Sequence, residues 1–118
     1  MPSFLKGYDF MELTKDSEKL ICLMYKSYLK KRKSGYSKSD ANNFGSSHDI
    51  HESLCPNWIF DDVDDTCREL SRAGLLSCCW ADNIAYIVQL SDSGIIYMEN
   101  RFKNGLKDVV DFLSNFIP

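Results

Sequence analysis

Apolar residues recur at helical spacing in the stretch "TKDSEKLICLMYKSYLKKRKSG" near the start of the chain. Leu20, Met24 and Tyr28 lie four positions apart, so they share one face of a helix. Thr14 or Asp16 is suited to cap the first turn of that helix. The pattern therefore predicts a first long helix with one buried face.

The polar stretch that follows predicts shorter elements. "SKSDANNFG" is typical of a short helix that is capped by Ser37 and ended by Gly45. The next segment, "SSHDIHESLCPNW", has room for one or two more helical turns before Pro56.

A third helix is predicted over "FDDVDDTCRELSRAGLL". Val63, Cys67 and Leu70 stand at positions i, i+4 and i+7, which places them on one apolar face. Asp61 is the expected N-cap, and Gly74 stands where a helix-ending glycine belongs.

Alternating residues in "LSCCWADNIAYIVQL" predict a β-hairpin. We expect "ADN" to form a three-residue loop in which Asn83 has a positive φ. That loop would set Trp80 opposite Ile84 and Cys78 opposite Tyr86. One face of the ribbon would then be wholly apolar: Leu76, Cys78, Trp80, Ile84, Tyr86, Val88 and Leu90.

The adjacent cysteines of this hairpin raise the question of a metal or redox site. Neighbouring side chains of a strand point to opposite faces, so Cys78 and Cys79 are not expected to bind one metal ion or act as a dithiol pair. We interpret both as ordinary strand residues.

The end of the chain predicts two helical segments separated by Asn104 and Gly105. Ser91 is suited to cap the first of them. The second has an apolar stripe made of Leu106, Val109, Val110, Leu113, Phe116 and Ile117. That stripe either packs on the same chain, with Phe4, Leu5, Tyr8 and Phe10 of the N-terminal arm, or forms a homodimer seam, which we favour.

The predicted order is helix, short helix, helix, ribbon and helix, an α+β fold that is mainly α. The segments "DDVDDTCRELSRAGLL", "WADNIAYIVQL" and "LSDSGIIYME" resemble those of winged helix-turn-helix proteins, in particular small prophage-associated proteins of the YjcQ-like group. The resemblance implies a three-helix core with a two-stranded wing over residues 14–100 and no cofactor. Residues 1–13 would be an arm, and residues 101–118 an additional amphipathic helix.

Composition indicates the number of domains and the cellular compartment of the protein, but it says less about the function. With 118 residues the chain is long enough for about one domain. The N-terminus lacks the apolar run of a signal peptide, and no run is long enough to cross a membrane. Five cysteines without framework spacing favour a reducing compartment, so a cytoplasmic protein is expected.

Charge is distributed unevenly along the chain. Residues 1–40 contain nine Lys/Arg against five Asp/Glu, whereas residues 41–100 contain two against ten. The candidate DNA contacts are Lys30, Lys31, Arg32, Lys33, Lys38, Arg68 and Arg72. The candidate protein contacts are Asp61, Asp62, Asp64 and Asp65, which begin the third helix and disfavour an approach to DNA phosphates.

Other chemistry has weaker support. His48, His51 and Cys55 stand at positions i, i+3 and i+7, a conceivable partial zinc site, but no Cys-x-x-Cys pair accompanies them. No nucleophile motif lies beside a histidine, so we expect a non-enzyme without cofactor or small-molecule substrate.

Two functional hypotheses remain from the sequence. The first is a homodimeric regulatory or adaptor module whose acidic helix binds protein. The second is a regulator that binds double-stranded DNA through the basic end of the first helix.

Overall fold

The computed structural model describes residues 11–116 of the chain. Over these residues the fold is α+β and mainly helical, with one antiparallel hairpin, as the sequence predicts, and its order is compatible with a winged-helix layout. The elements in chain order are α1 (Lys15–Lys33), α2 (Lys38–Ala41), α3 (Ser47–Leu54), α4 (Phe60–Arg72), β1 (Leu76–Ala81), β2 (Ile84–Leu90), α5 (Asp92–Arg101) and α6 (Leu106–Ser114).

Helix α1 is the central element of the fold. The Thr14 side chain accepts a hydrogen bond from the Ser17 amide, which confirms Thr14 as the N-cap. Leu20, Met24 and Tyr28 are buried, as their spacing predicts. Because α2, α4 and α6 all pack against α1, most of the core forms around this one helix.

The segment after α1 contains two helices rather than one. Ser37 caps α2 as predicted, but α2 ends at Ala41, so the prediction that it extends to Gly45 is wrong. Helix α3 then begins with a capping box in which Ser46 and Asp49 bond to each other's backbone amides. This reciprocal pair stabilises a helix of about two turns, which confirms the prediction of one or two turns before Pro56.

Residues 42–45 do not continue α2 because they bond to β2 instead. The Phe44 amide donates to the Val88 carbonyl at 3.4 Å, and the Val88 amide donates to the Gly45 carbonyl at 2.8 Å. The side-chain amide of Asn42 accepts from the Leu90 amide at 2.8 Å and donates to the Leu90 carbonyl at 2.9 Å. The hairpin is therefore flanked by a third extended segment.

Helix α4 begins two residues earlier than the predicted N-cap, Asp61, implies. Its N-cap is Ile59, without a side-chain cap, so the prediction of Asp61 as N-cap is wrong and Asp61 lies in the first turn. The Phe60 ring stacks on the His48 ring with centroids 4.0 Å apart, which fixes the entry to the helix. Gly74 follows the helix with φ +81°, as predicted for a helix-ending glycine.

The hairpin turns more tightly than predicted. Asp82 and Asn83 both have positive φ, which gives a two-residue loop in place of the predicted three-residue loop, although the positive φ of Asn83 is confirmed. Ala81 consequently lies opposite Ile84, and the register shifts at a bulge beside Tyr86.

The bulge corrects the predicted cross-strand pairs. Trp80 lies opposite Ala85 rather than Ile84, and Cys78 lies opposite Val88 rather than Tyr86. Tyr86 is the extra residue, and it is exposed instead of completing the apolar face. Leu76, Val88 and Leu90 do belong to the core, as predicted.

Helix α5 is held to α1 by a partly buried ion pair. Ser91 caps α5 as predicted, and Arg101 at its end donates two hydrogen bonds to the Glu18 carboxylate at 2.8 and 2.6 Å. The Arg101 guanidinium also lies 4.5 Å from the centroid of the Phe112 ring in α6. One cation therefore contacts three helices.

Asp64 joins α4 to both of its neighbours. Its Oδ1 accepts hydrogen bonds from the Ser47 hydroxyl at 2.9 Å and from the Ala85 amide at 3.0 Å. Its Oδ2 accepts from Arg68 at 3.3 Å, and the residue is only 7% exposed. This carboxylate thus fixes α4 against the start of α3 and against the hairpin.

The first prediction compares two neighbouring aspartates. Asp64→Ala leaves a buried hydroxyl, a buried amide and a guanidinium without their acceptor, so we expect it to lower the unfolding free energy by about 3 kcal/mol. Asp65 is exposed, and Asp65→Ala should change that free energy by less than about 0.5 kcal/mol. Urea unfolding followed by circular dichroism measures both; equal effects would contradict the linking role of Asp64.

Candidate interaction surface

The start of α4 presents an acidic surface. Asp61, Asp62 and Asp65 are exposed, and we call these three the acidic face. Two of them lie in the first helical turn, where negative charge is stabilised by the helix dipole. Their position is therefore compatible with the fold and leaves their carboxylates free for solvent or a partner.

Two candidate residues of α4 are already used inside the fold. Asp64 is buried, so it does not belong to the acidic face on which the sequence placed it. Arg68, a candidate DNA contact, bonds to Asp64 and to the Asn83 carbonyl, and its guanidinium lies 4.3 Å from the Trp80 ring centroid. These contacts hold Arg68 against the hairpin, and its side chain remains 37% exposed.

Further acidic groups adjoin the acidic face. Glu69 accepts hydrogen bonds from the hydroxyls of Thr14 and Ser17, at 2.9 and 2.7 Å. A crevice of about 250 Å³ between α1 and α4 is lined by Thr14, Asp16, Asp62, Asp65, Thr66 and Glu69. The exposed Arg72, a candidate DNA contact, lies at the far end of α4, where it lines a second crevice together with Glu12 and Glu69.

The basic cluster at the end of α1 does not form one patch. Arg32 donates to the Tyr36 carbonyl at 3.1 Å, and Lys38 pairs with Asp92 at 3.8 Å. The Lys31 ammonium lies 5.7 Å from the centroid of the Phe44 ring. Lys30 and Lys33 are exposed in the last turns of the helix. The cations therefore point to several sides of the helix end.

A row of residues that sequence reasoning missed lies along α1. Lys26 lines an open groove together with Lys30 and Lys31, and the groove lies between α1 and α3. The signal in the sequence was the spacing of Lys26 and Lys30, four residues apart on one helical face. Lys26 stands apart from the dense basic run Lys30–Lys33, so local charge density alone does not indicate it.

The hairpin exposes apolar side chains that the sequence assigned partly to its inner face. Trp80 is 41% exposed, Tyr86 58% and Ile87 45%. The loop tip contains Asp82 and no lysine or arginine. This part of the hairpin is therefore apolar and uncharged apart from one carboxylate.

The three zinc candidates do not converge on one point. His48 stacks on Phe60, whereas Nε2 of His51 lies 2.7 Å from the Trp58 carbonyl. Cys55 is buried with its sulfur 3.8 Å from the Ile50 carbonyl. Within residues 11–116 no group of three or more His, Cys, Asp or Glu side chains is arranged to hold a metal ion.

Helix α6 packs on α1 of the same chain. Val109 is fully buried, and the Phe112 ring contacts the Phe102 ring at 5.5 Å between centroids. Val110 is exposed, and Leu106, Leu113 and Phe116 are partly so. Ile117 and the arm residues Phe4, Leu5, Tyr8 and Phe10 lie outside the described residues. The stripe is thus divided between an inner and an outer side.

Comparisons with protein-family models, with curated proteins and with solved structures found no match to this chain. Between Met11 and Phe116, none of the helices has the length and apolar character needed to cross a bilayer.

The five cysteines differ in their surroundings. Burial raises the pKa of Cys22 and of Cys67 to about 12, and that of Cys55 to about 11. Burial also raises the pKa of Cys78, whereas Cys79 is exposed on the opposite face of β1. The thiolate is the nucleophile, so these surroundings separate the cysteines by reactivity.

The second prediction concerns alkylation of the native protein. At pH 8 iodoacetamide should modify Cys79 first and Cys78 more slowly, and should leave Cys22, Cys55 and Cys67 intact until unfolding. Since their folded pKa values exceed the unfolded value of 9.0, these buried thiols should stabilise the fold below pH 9 and lose that effect as pH rises further. Peptide mass spectrometry gives the order; early modification of Cys22 or Cys67 would contradict it.

Proposed function

We propose that this chain is a winged-helix module that acts by binding protein, without catalysis. The observation that carries the proposal is the acidic face at the leading end of α4. In a winged helix this end of the third core helix would enter the major groove of DNA. Here it offers a partner three exposed carboxylates.

The winged-helix interpretation has support in the hydrogen bonds as well as in the element order. Helices α1, α3 and α4 would be the three core helices, and β1 with β2 the wing. The segment 42–45 bonds to β2, which is where a short first strand would lie in such a fold.

Electrostatics favours protein over DNA as the partner. Neutralisation of phosphates supplies most non-specific affinity for DNA. Among the described residues no salt bridge joins Asp61, Asp62 or Asp65 to a cation, and Arg68 pairs with Asp64 and lies over Trp80 instead. Phosphates approaching α4 would therefore meet repulsion.

The hairpin beside α4 offers a surface of the kind that binds protein. Aromatic residues are enriched in the centres of protein interfaces, and Trp80, Tyr86 and Ile87 are exposed. We infer that the partner presents basic residues to the acidic face and apolar ones to the hairpin.

DNA binding by another surface is the second candidate function. It is favoured by the exposure of Lys30 and Lys33 at the end of α1, where they could contact phosphates. It would place the duplex against α1 rather than α4.

The third prediction is a titration of a fluorescein-labelled mixed-sequence duplex, followed by anisotropy at 20 mM and 200 mM salt. We expect no binding by the natural chain at either concentration. The variant Asp61→Lys with Asp65→Lys should acquire binding that weakens as salt increases, because the repelling charges become phosphate contacts.

The matched control makes the same change of charge on α6, with Asp108→Lys and Asp111→Lys. If the control variant binds the duplex as tightly as the α4 variant does, the net charge of the chain, and not the position of the acidic face, determines DNA binding. If the natural chain binds and Lys30→Glu with Lys33→Glu abolishes that binding, the second candidate function replaces the first.

The fourth prediction tests the homodimer that we also propose. Val110 is exposed on α6, and Leu106 and Leu113, four positions before it and three after it, are half-buried, so a second copy would pack over Val110. Val110→Asp should then give a monomer, while Asp111→Asn should leave the dimer intact. Light scattering coupled to size exclusion measures the mass; a natural chain that is already monomeric would refute the seam.

A further inference from the structure

An open groove of about 410 Å³ lies between α1 and α3, on residues outside the acidic face. Two leucines form its apolar part, and three lysines and two serines surround them. The lining residues are Leu23, Lys26, Ser27, Lys30 and Lys31 of α1 with Ser53 and Leu54 of α3. We call this the lysine groove.

The sequence of α1 places the groove on one helical face. Relative to Leu23, the other four α1 residues stand three, four, seven and eight positions later, which are the offsets of a single helix face. Leu23 and Leu54 are partly buried and pack against the core, so the floor of the groove is anchored. The groove is thus a fixed part of the fold.

No described carboxylate neutralises the charge of the lysine groove. Of the carboxylates in residues 11–116, none forms an ion pair with Lys26, Lys30 or Lys31. Lys26 and Lys30 also repel each other, because like charges four residues apart on a helix destabilise it. A bound anion would relieve that repulsion.

We propose that the lysine groove binds an acidic amphipathic peptide segment of a partner protein. Apolar side chains of the segment would contact Leu23 and Leu54, and its Asp or Glu side chains would pair with the three lysines. The Ser27 hydroxyl would hydrogen-bond to the same carboxylates or to the peptide backbone, whereas the Ser53 hydroxyl, which donates to the Asp49 carbonyl at 2.8 Å, would accept from a peptide amide. The positive charge of the three lysines requires a negatively charged peptide segment. The two leucines require that one side of this segment is apolar.

The apolar floor favours a peptide over nucleic acid. Phosphate contacts require cations on a surface and gain nothing from two leucines between them. Helical peptides commonly bind in grooves through apolar anchors flanked by charges. The groove also lies away from the acidic face, so the two surfaces would recognise partners of opposite charge.

The fifth prediction uses a fluorescein-labelled helical peptide with two leucines four residues apart and glutamates on either side. Anisotropy should show saturable binding to the full chain at 20 mM salt. Lys26→Glu with Lys30→Glu should weaken it at least tenfold, because each reversal replaces an attraction by a repulsion. The matched control, Lys103→Glu with Lys107→Glu, makes the same change of charge on exposed residues of the α5–α6 region and should weaken it less than twofold.

Two further probes separate this inference from general charge effects. A peptide with both leucines replaced by serine should bind at least fivefold more weakly, which reports the contact with the apolar floor. A single-stranded oligonucleotide of equal negative charge should compete poorly.

Several results would overturn the proposal. They are an absence of peptide binding to the folded natural chain, equal losses in the two charge variants, equal binding of the serine peptide, and displacement of the peptide by the oligonucleotide at equal concentration. None of these results bears on the acidic face, because no α4 residue lines the lysine groove.

Discussion

The buried carboxylate of Asp64 is the constraint on which the arrangement of α4 depends. It accepts from a hydroxyl at the start of α3, from a backbone amide of β2 and from a guanidinium one turn further along α4. Removing a carboxylate from water is costly unless its oxygens are satisfied, so these three donors must be present together. The position of the hairpin relative to α4 follows from that requirement.

This requirement also decides which charges of α4 are available for function. Arg68 completes the bonds of Asp64, and its guanidinium then covers the Trp80 ring. The Arg68 charge is therefore paired with Asp64 within the fold. The exposed charges at the start of α4 are those of Asp61, Asp62 and Asp65. A count of charged residues would describe the start of α4 as mixed in charge. Its surface is acidic because Arg68 is paired with Asp64.

The sequence predicted those features that depend on local spacing. Thr14, Ser37 and Ser91 cap helices because a short hydroxyl side chain before an apolar pattern bonds to the free amides of the first turn. Gly74 ends α4 for an equally local reason, its positive φ. The burial of Asp64 was missed because its partners, Ala85 and Ser47, lie 21 and 17 residues away in the sequence. The bulge beside Tyr86 was missed for a local reason, since the two-residue loop shifts the register that a three-residue loop would set.

The candidate sites divide in the same way. The sequence placed four aspartates at the start of α4 as candidate protein contacts, and three of them, Asp61, Asp62 and Asp65, are exposed. The lysine groove was not predicted, since α3 supplies one of its sides. Helix α1 spans about 28 Å, so its acidic first turn and its basic last turn lie at opposite ends of the core. At physiological ionic strength the Debye length is about 8 Å, and these two ends are electrostatically independent of each other. A small chain with a modest net charge can therefore present two separate surfaces of opposite sign. Its net charge of −3 is a sum over the whole sequence and indicates neither surface.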